Sequence, residues 1–264
     1  MNMNRHCGII KFILLGVVCI SLLPVSVHAQ KYTEFIPGEV WKDTDGNPIN
    51  AHGGGLLYHN GTYYWYGEYK KGKTILPDWA TWECYRTDVT GVGCYSSKDL
   101  LNWKFEGIVL PAVKDDPNHD LHPSKVLERP KVIFNKKTGK FVMWAHVESA
   151  DYSKACAGVA VADSPVGPIQ IPESNLILAK DPEKGIYGTG HNSVIQVPGK
   201  DEWYIVYHRF KRPEGITMGE AAGYHREVCI DRMYFGKDGT ILPVTPTLEG
   251  IRPVKVRNKS VYEK

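Results

Sequence analysis

The chain has 264 residues, with 32 Lys and Arg against 29 Asp and Glu, for a formal net charge of +3. A balance this close to even, with no basic run, excludes the concentrated positive face that nucleic-acid binding requires. Aromatic residues at 11% and 26 glycines fit a turn-rich β protein large enough to bury one ample core.

The chain opens on a targeting pattern. Arg5 and Lys11 flank the start of an apolar stretch, Phe12 to Leu23, and Val27-His28-Ala29 supplies a small-residue cleavage site. The run is short for a membrane span of about 20 residues. Residues 1–29 are therefore predicted to be a secretion signal peptide and 30–264 a single domain, secreted or periplasmic, with no membrane span once the signal is removed. Cys7 and Cys19 leave with the signal, and Cys84, Cys94, Cys156 and Cys229 remain. An export compartment permits a disulfide, with Cys84 and Cys94 the nearest pair in sequence. Three of the four, Cys94, Cys156 and Cys229, fall in equivalent strands, where Cys acts as a small buried apolar residue. The spacing matches no zinc pattern.

After a leading segment whose Asp43-Thr44-Asp45-Gly46-Asn47-Pro48 is a turn cluster, the same pattern recurs three times. An apolar strand, a Gly-containing turn and an aromatic-rich strand read Gly55-Leu56-Leu57, Asn60-Gly61 and Tyr63-Tyr64-Trp65-Tyr66. They return as Val132-Ile133-Phe134, Thr138-Gly139 and Phe141-Val142-Met143-Trp144, then as Val194-Ile195-Gln196, Pro198-Gly199 and Trp203 to Tyr207. A third strand follows each hairpin, at Val92–Ser97, Gly158–Ser164 and Val228–Met233. A short fourth segment is expected near Trp103–Phe105, Ile169–Ile171 and Ile241–Val244. Four strands per unit, repeated every 60 to 80 residues or so, predict an all-β β-propeller. Only three four-stranded blades are clear, so the ring is shortened or closes in an unusual way. An insertion at residues 70–91 carries Trp79, Trp82 and Tyr85 and is expected on a propeller face.

The residues just before each inner strand are polar or glycine-rich: Asn50 to Gly55, Leu127-Glu128-Arg129-Pro130-Lys131, and Gly188 to Ser193. Apolar strands are about to begin there, so these stretches read as a site on the propeller axis. At this point the sequence resembles glycoside hydrolase family 43. Ala51-His52-Gly53-Gly54-Gly55, Tyr63 to Glu68 and Tyr95 to Trp103 are similar to the first blade of its exo-β-1,3-galactanase branch. Glu128 to Asn135 with Val142-Met143-Trp144 resembles the second blade of that branch. Gly188 to Val194, Trp203 to His208 and His225-Arg226-Glu227 are similar to the last blade of the arabinofuranosidase and xylosidase members.

The resemblance implies a five-bladed propeller and hydrolysis with inversion, which wants a general acid and a base about 6.5–9.5 Å apart. It also implies that Glu128 is a catalytic or pKa-setting carboxylate, and that His52, Glu68, His191 and Arg226 line the sugar site. His191 would also face the axis and help hold a structural calcium or sodium ion through water; no cofactor is otherwise required. Trp82 and Trp79, on the insertion, are stacking candidates for sugar rings, whereas Trp65, Trp144 and Trp203 read as blade packing. The plainer alternatives are a surface ion pair for Glu128, a core histidine for His191, and a salt bridge from Arg226 to Glu227 or Asp231. The position that holds a base aspartate in most of the family is the neighbourhood of His52, and the blade that would carry the acid glutamate is not found. Two functions are therefore expected to compete. One is hydrolysis of plant polysaccharide, namely β-1,3-galactan, arabinan or xylan side chains. The other is a catalytically disabled carbohydrate-binding propeller, a remnant of such an enzyme. A second carboxylate within about 10 Å of Glu128 across an open pocket would separate them, with Glu68, Glu183 and Glu220 the ones to test.

Overall fold

The computed structural model describes residues 31–75, 86–148, 156–171, 176–213 and 217–255. The segment predicted as a signal lies outside them, and no helix among the described residues is long and apolar enough to cross a membrane. The first hairpin joins β1 (His52–His59) to β2 (Thr62–Glu68) through Asn60 and Gly61. Both turn residues have left-handed backbones, φ 48° and 73°, the geometry that lets a two-residue turn follow the twist of its strands. β3 (Thr74–Ile75) and β4 (Arg86–Thr87) form a separate two-stranded ribbon at the ends of the insertion. β5 (Gly91–Ser97) and β6 (Lys104–Pro111) complete an antiparallel sheet of order β1-β2-β5-β6.

The second sheet runs β7 (Val126–Asn135), β8 (Lys140–Glu148), β9 (Cys156–Ala162) and β10 (Leu176–Leu178) in meander order. Its fourth strand lies later than predicted. Gln170 makes only an isolated bridge to Val161, and Leu176–Leu178 pairs with β9 instead. The third sheet has three strands, β11 (Gly190–Gln196), β12 (Trp203–Phe210) and β13 (Arg226–Met233). The segment expected as its fourth strand leaves it. Val244 runs parallel to Leu178, and its N–H donates to Ile177 O at 2.7 Å. Pro243 has no N–H to give to a ladder, so this stretch ties the third sheet to the outer edge of the second.

Alternation along β8 shows how the sheets stack. Phe141, Met143, Ala145 and Val147 pack toward the first sheet with Tyr66, Val92, Cys94, Leu127 and Val132. Val142 and Trp144 point the other way, into a second core with Ile177, Trp203, Ile205, Tyr207 and Met233. Each such side chain contributes about 1.5–3 kcal/mol on burial. A strand apolar on both faces is what a sheet sandwiched between two others demands. β1 and β2 pack on β7, and β11 packs on β8 and β9. No packing of that extent joins the third sheet to the first among the described residues. The architecture is thus all-β with blade-like antiparallel sheets, and no closed ring forms among the described residues. Ile195 and Val228 stand exposed on the outer face of the third sheet.

The leading segment covers part of the first sheet's other face. Trp41 sits between Phe35, Trp65 and Trp103, with ring centroids 4.7, 5.7 and 6.5 Å away. Asp43 closes the predicted turn by accepting the N–H groups of Asp45 and Asn47 at 3.0 and 2.9 Å. Cys94 is a free, fully buried thiol, so it behaves as a small core residue rather than half of a disulfide. Cys84 lies outside the described residues.

Candidate active site

The three inner strands share one irregularity. β1, β7 and β11 each break register against the next strand, between His52 and Gly55, Glu128 and Lys131, and Gly190 and Ser193. Each break sets two residues against one, a bulge with one extra residue that re-aims the strand. The first residue of every bulge has a left-handed backbone: Gly53 at φ 56°, Arg129 at 54° and His191 at 36°. Glycine tolerates this conformation, whereas Arg and His are strained in it. Strain of this kind, typically about 1–3 kcal/mol, persists where its surroundings enforce it and clusters at functional sites. The partner residues across the ladder are Glu68, His146 and His208, opposite His52, Glu128 and Gly190.

These bulges bring the second and third sheets together at one point. Glu128 Oε2 lies 3.1 Å from Arg129 Nη1 and 3.4 Å from His191 Nε2. The His191 ring meets His146 and His208 edge to face, at 4.9 and 4.6 Å between centroids. Gly190 lets His146 approach, because a Cβ there would fall 2.7 Å from its ring. Arg226 Nη1 donates to His208 Nε2 at 3.0 Å and to His191 Nδ1 at 3.3 Å. A guanidinium can only donate, so both imidazole nitrogens must be acceptors. His191 is thereby fixed as the neutral tautomer with its proton on Nε2, aimed at Glu128, and His208 carries its proton on Nδ1.

The electrostatics agree. The hydrogen bond from His191, then the charge of Arg129, holds the Glu128 carboxyl below its ordinary range against the opposing effect of burial. Glu128 is therefore an acceptor at neutral pH and not a proton donor. Burial, followed by the charge of Arg226, pushes His208 down to about 3, which keeps it neutral as the Arg226 bond requires. Burial also lowers Arg226, with Arg129 adding to the effect.

A metal is a weaker fit. One atom each from Glu128, His146 and His191 lie within 4.8 Å of one another. Calcium takes six to eight oxygens, and this set offers one carboxylate and two imidazoles beside two guanidinium groups. A nitrogen-preferring metal would need His191 Nε2, which carries the proton facing Glu128. Direct ligation does not suit these residues, leaving only the water-mediated arrangement expected of His191.

Glu128, His191 and Arg226 are brought together as the sequence suggested, but other expectations need correction. Arg226 pairs with neither predicted acid: Glu227 Oε1 accepts from Arg209 Nε at 2.7 Å, and Asp231 accepts from Tyr207 and Thr247 at 2.7 and 2.5 Å. Glu68 is 3% exposed and is not open to a sugar. Its Oε1 accepts the backbone N–H of Arg129 at 2.9 Å and its Oε2 pairs with Lys70 at 3.0 Å, so it braces the second bulge. His52 is exposed opposite Glu68 and makes no side-chain hydrogen bond or ion pair with the cluster among the described residues. Glu183 is exposed on a 3-10 turn, Pro182–Lys184. Trp79, Trp82 and the side chain of Glu220 lie outside the described residues. His146 and His208 were missed. Each lies two residues before the end of an apolar strand, and lining up the three repeats would have placed both in the column of Glu68.

The profile of the glycosyl hydrolases family 43 matches residues 111–241. A curated relative, "Beta-D-galactofuranosidase xynD" of Aspergillus niger, is 35% identical over 177 residues, 63% of this chain and 49% of the relative. A solved family 43 β-1,3-galactosidase with galactodeoxynojirimycin is 32% identical, with TM-score 0.55, covering 79% of this chain and 66% of that one. An exo-β-1,3-galactanase from Clostridium thermocellum is 30% identical, with TM-score 0.54, over 80% of this chain and 40% of that one. The chain thus spans about half the length of this curated relative.

Proposed function

The chain belongs to glycosyl hydrolases family 43, and from that premise we propose that it hydrolyses O-glycosidic bonds of plant polysaccharide outside the cell or in the periplasm. β-1,3-Linked galactan is the first substrate class, ahead of arabinan and xylan side chains, in keeping with the galactan-active solved relatives. The observation that carries this reading is the convergence of two strained bulges on one ionised carboxylate, Glu128, backed by three imidazoles and Arg226.

The residues divide the work by their charge. Ionised Glu128 accepts hydrogen bonds, so it orients a sugar hydroxyl or the attacking water, or sets the acidity of a neighbouring acid. His191 keeps it ionised, and Arg226 keeps His191 in the donating tautomer. Purified mature protein should release monosaccharide from at least one of β-1,3-galactan, arabinan and xylan, and Glu128→Gln should abolish that release. Wild-type turnover by the variant would remove Glu128 from the mechanism.

One observation favours a second reading, a carbohydrate-binding propeller without turnover. Inverting hydrolysis uses two carboxyl groups. Among the described residues the cluster offers Glu128 alone, because both oxygens of Glu68 are committed to Arg129 and Lys70. Sugar binding without release from any of the three polysaccharides would select it.

A further inference from the structure

We propose that a buried water-binding site joins the second and third sheets behind the imidazole cluster, and that Asn192 is the positioning residue through which it fixes the aim of His191. The positioning role rests on the reading of the cluster as the active site, whereas the water site holds without it. Two atoms carry the inference. Trp144 Nε1 and Asn192 Oδ1 are shut off from solvent, their residues 2% and 8% exposed, and neither atom has a hydrogen-bond partner among the described residues. Buried polar atoms almost always find one, the indole N–H included.

The fold sets these two residues side by side. β11 leaves the cluster while β8 approaches it, and the two strands pack across the join between their sheets. Gly190 lies against the His146 ring. Two residues along β11 comes Asn192, and two residues back along β8, on the same face as His146, comes Trp144. One more such step brings Val194 onto the core that holds Val142 and Trp144. Asn192 and Trp144 are thus the polar pair between a glycine–imidazole contact and an aliphatic one. One atom donates, the other accepts, and both groups are neutral. A water accepts from the indole N–H while donating to the amide oxygen, so it satisfies both at once. A cation would be repelled by the N–H and an anion by the oxygen. Asn192 is the second residue of the third bulge, directly after the strained His191. Anchoring it holds the bulge and keeps His191 Nε2 on Glu128.

The test is NMR on the ¹⁵N-labelled protein, with the Trp144 indole assigned through Trp144→Phe. In the unmodified protein the Trp144 N–H should show a cross-peak to a long-lived bound water and exchange slowly with solvent. Asn192→Leu, close in volume but without the acceptor, should abolish that cross-peak. It should also draw the two His191 nitrogen resonances toward each other as the tautomers begin to mix. Asn192→Asp keeps an acceptor oxygen and should retain the cross-peak. A Trp144 indole in contact only with protein protons, or exchanging rapidly, overturns the site. A cross-peak that survives Asn192→Leu removes Asn192 from it and overturns the inference as well. Loss of the cross-peak with His191 unchanged overturns the positioning role alone. Failure of the protein to release any sugar overturns the proposed hydrolysis and leaves the water site standing. The measurement on the unmodified protein decides the site even if a variant fails to fold.

Discussion

The bulge of the first sheet and those of the second and third have the same backbone but different residues. At the left-handed position the first sheet has Gly53, while the second and third have Arg129 and His191. Glycine adopts that φ freely, so the first bulge is relaxed and its left-handed position, packed against Arg129, brings no side chain into the cluster. The other two hold side chains in a conformation such residues avoid, and those side chains meet Glu128. Strain and chemistry coincide within one repeated motif, and the strain-free copy shows that the backbone shape alone does not require it.

The sharpest way to break this comparison is to remove what enforces the second bulge. Glu68→Ala leaves the Arg129 amide and Lys70 without their acceptor in a buried place, and should cost about 3 kcal/mol in denaturant unfolding. Glu68→Gln, which keeps one acceptor, should cost clearly less. Putting a side chain into the relaxed copy comes next. In Gly53→Ala the new Cβ would lie 2.6 Å from Glu68 Oε1 and 3.3 Å from Arg129 Cγ, at φ 56°. About 2 kcal/mol of destabilisation is expected, read in the same way.

Acid should act on the strained copies. The folded His208 has a value of about 3 against an ordinary 6.5, so the unfolded chain takes up its proton first. Its contribution is complete above 6.5 and declines as pH falls toward 3. Glu128, also lowered, adds a further loss below the ordinary glutamate range. Melting temperature should fall across this window, and His208→Gln should flatten the upper part of the fall. The smallest effect is a gain. Arg129→Gly relieves the left-handed strain and loses only a partly exposed ion pair, so stability should rise by up to about 1 kcal/mol while sugar binding weakens.

Much of this was legible beforehand. The hairpins announced themselves through Asn60-Gly61 and its counterparts, and the polar stretches ahead of the inner strands marked the bulges. The third sheet's fourth strand was misplaced because an apolar run with Pro243 reads as a strand, while only tertiary contacts reveal that Val244 pairs with the second sheet. Arg226 was assigned to the wrong partners because adjacency in sequence favours Glu227, whereas alternation along β13 puts the two side chains on opposite faces. Glu68 looked like a sugar ligand because a strand-end acid gives no sign of being buried. His146 and His208 were hidden within the apolar strands that carry them.

The most direct measurement is an NMR spectrum of the imidazole nitrogens, recorded while the protein is titrated with galactose. His191 should begin as the neutral form protonated on Nε2 and His208 as that protonated on Nδ1, and both should shift together with His146 at one saturation point. Shifts confined to a single ring, or a charged His191 at neutral pH, would contradict a shared sugar site built from two sheets.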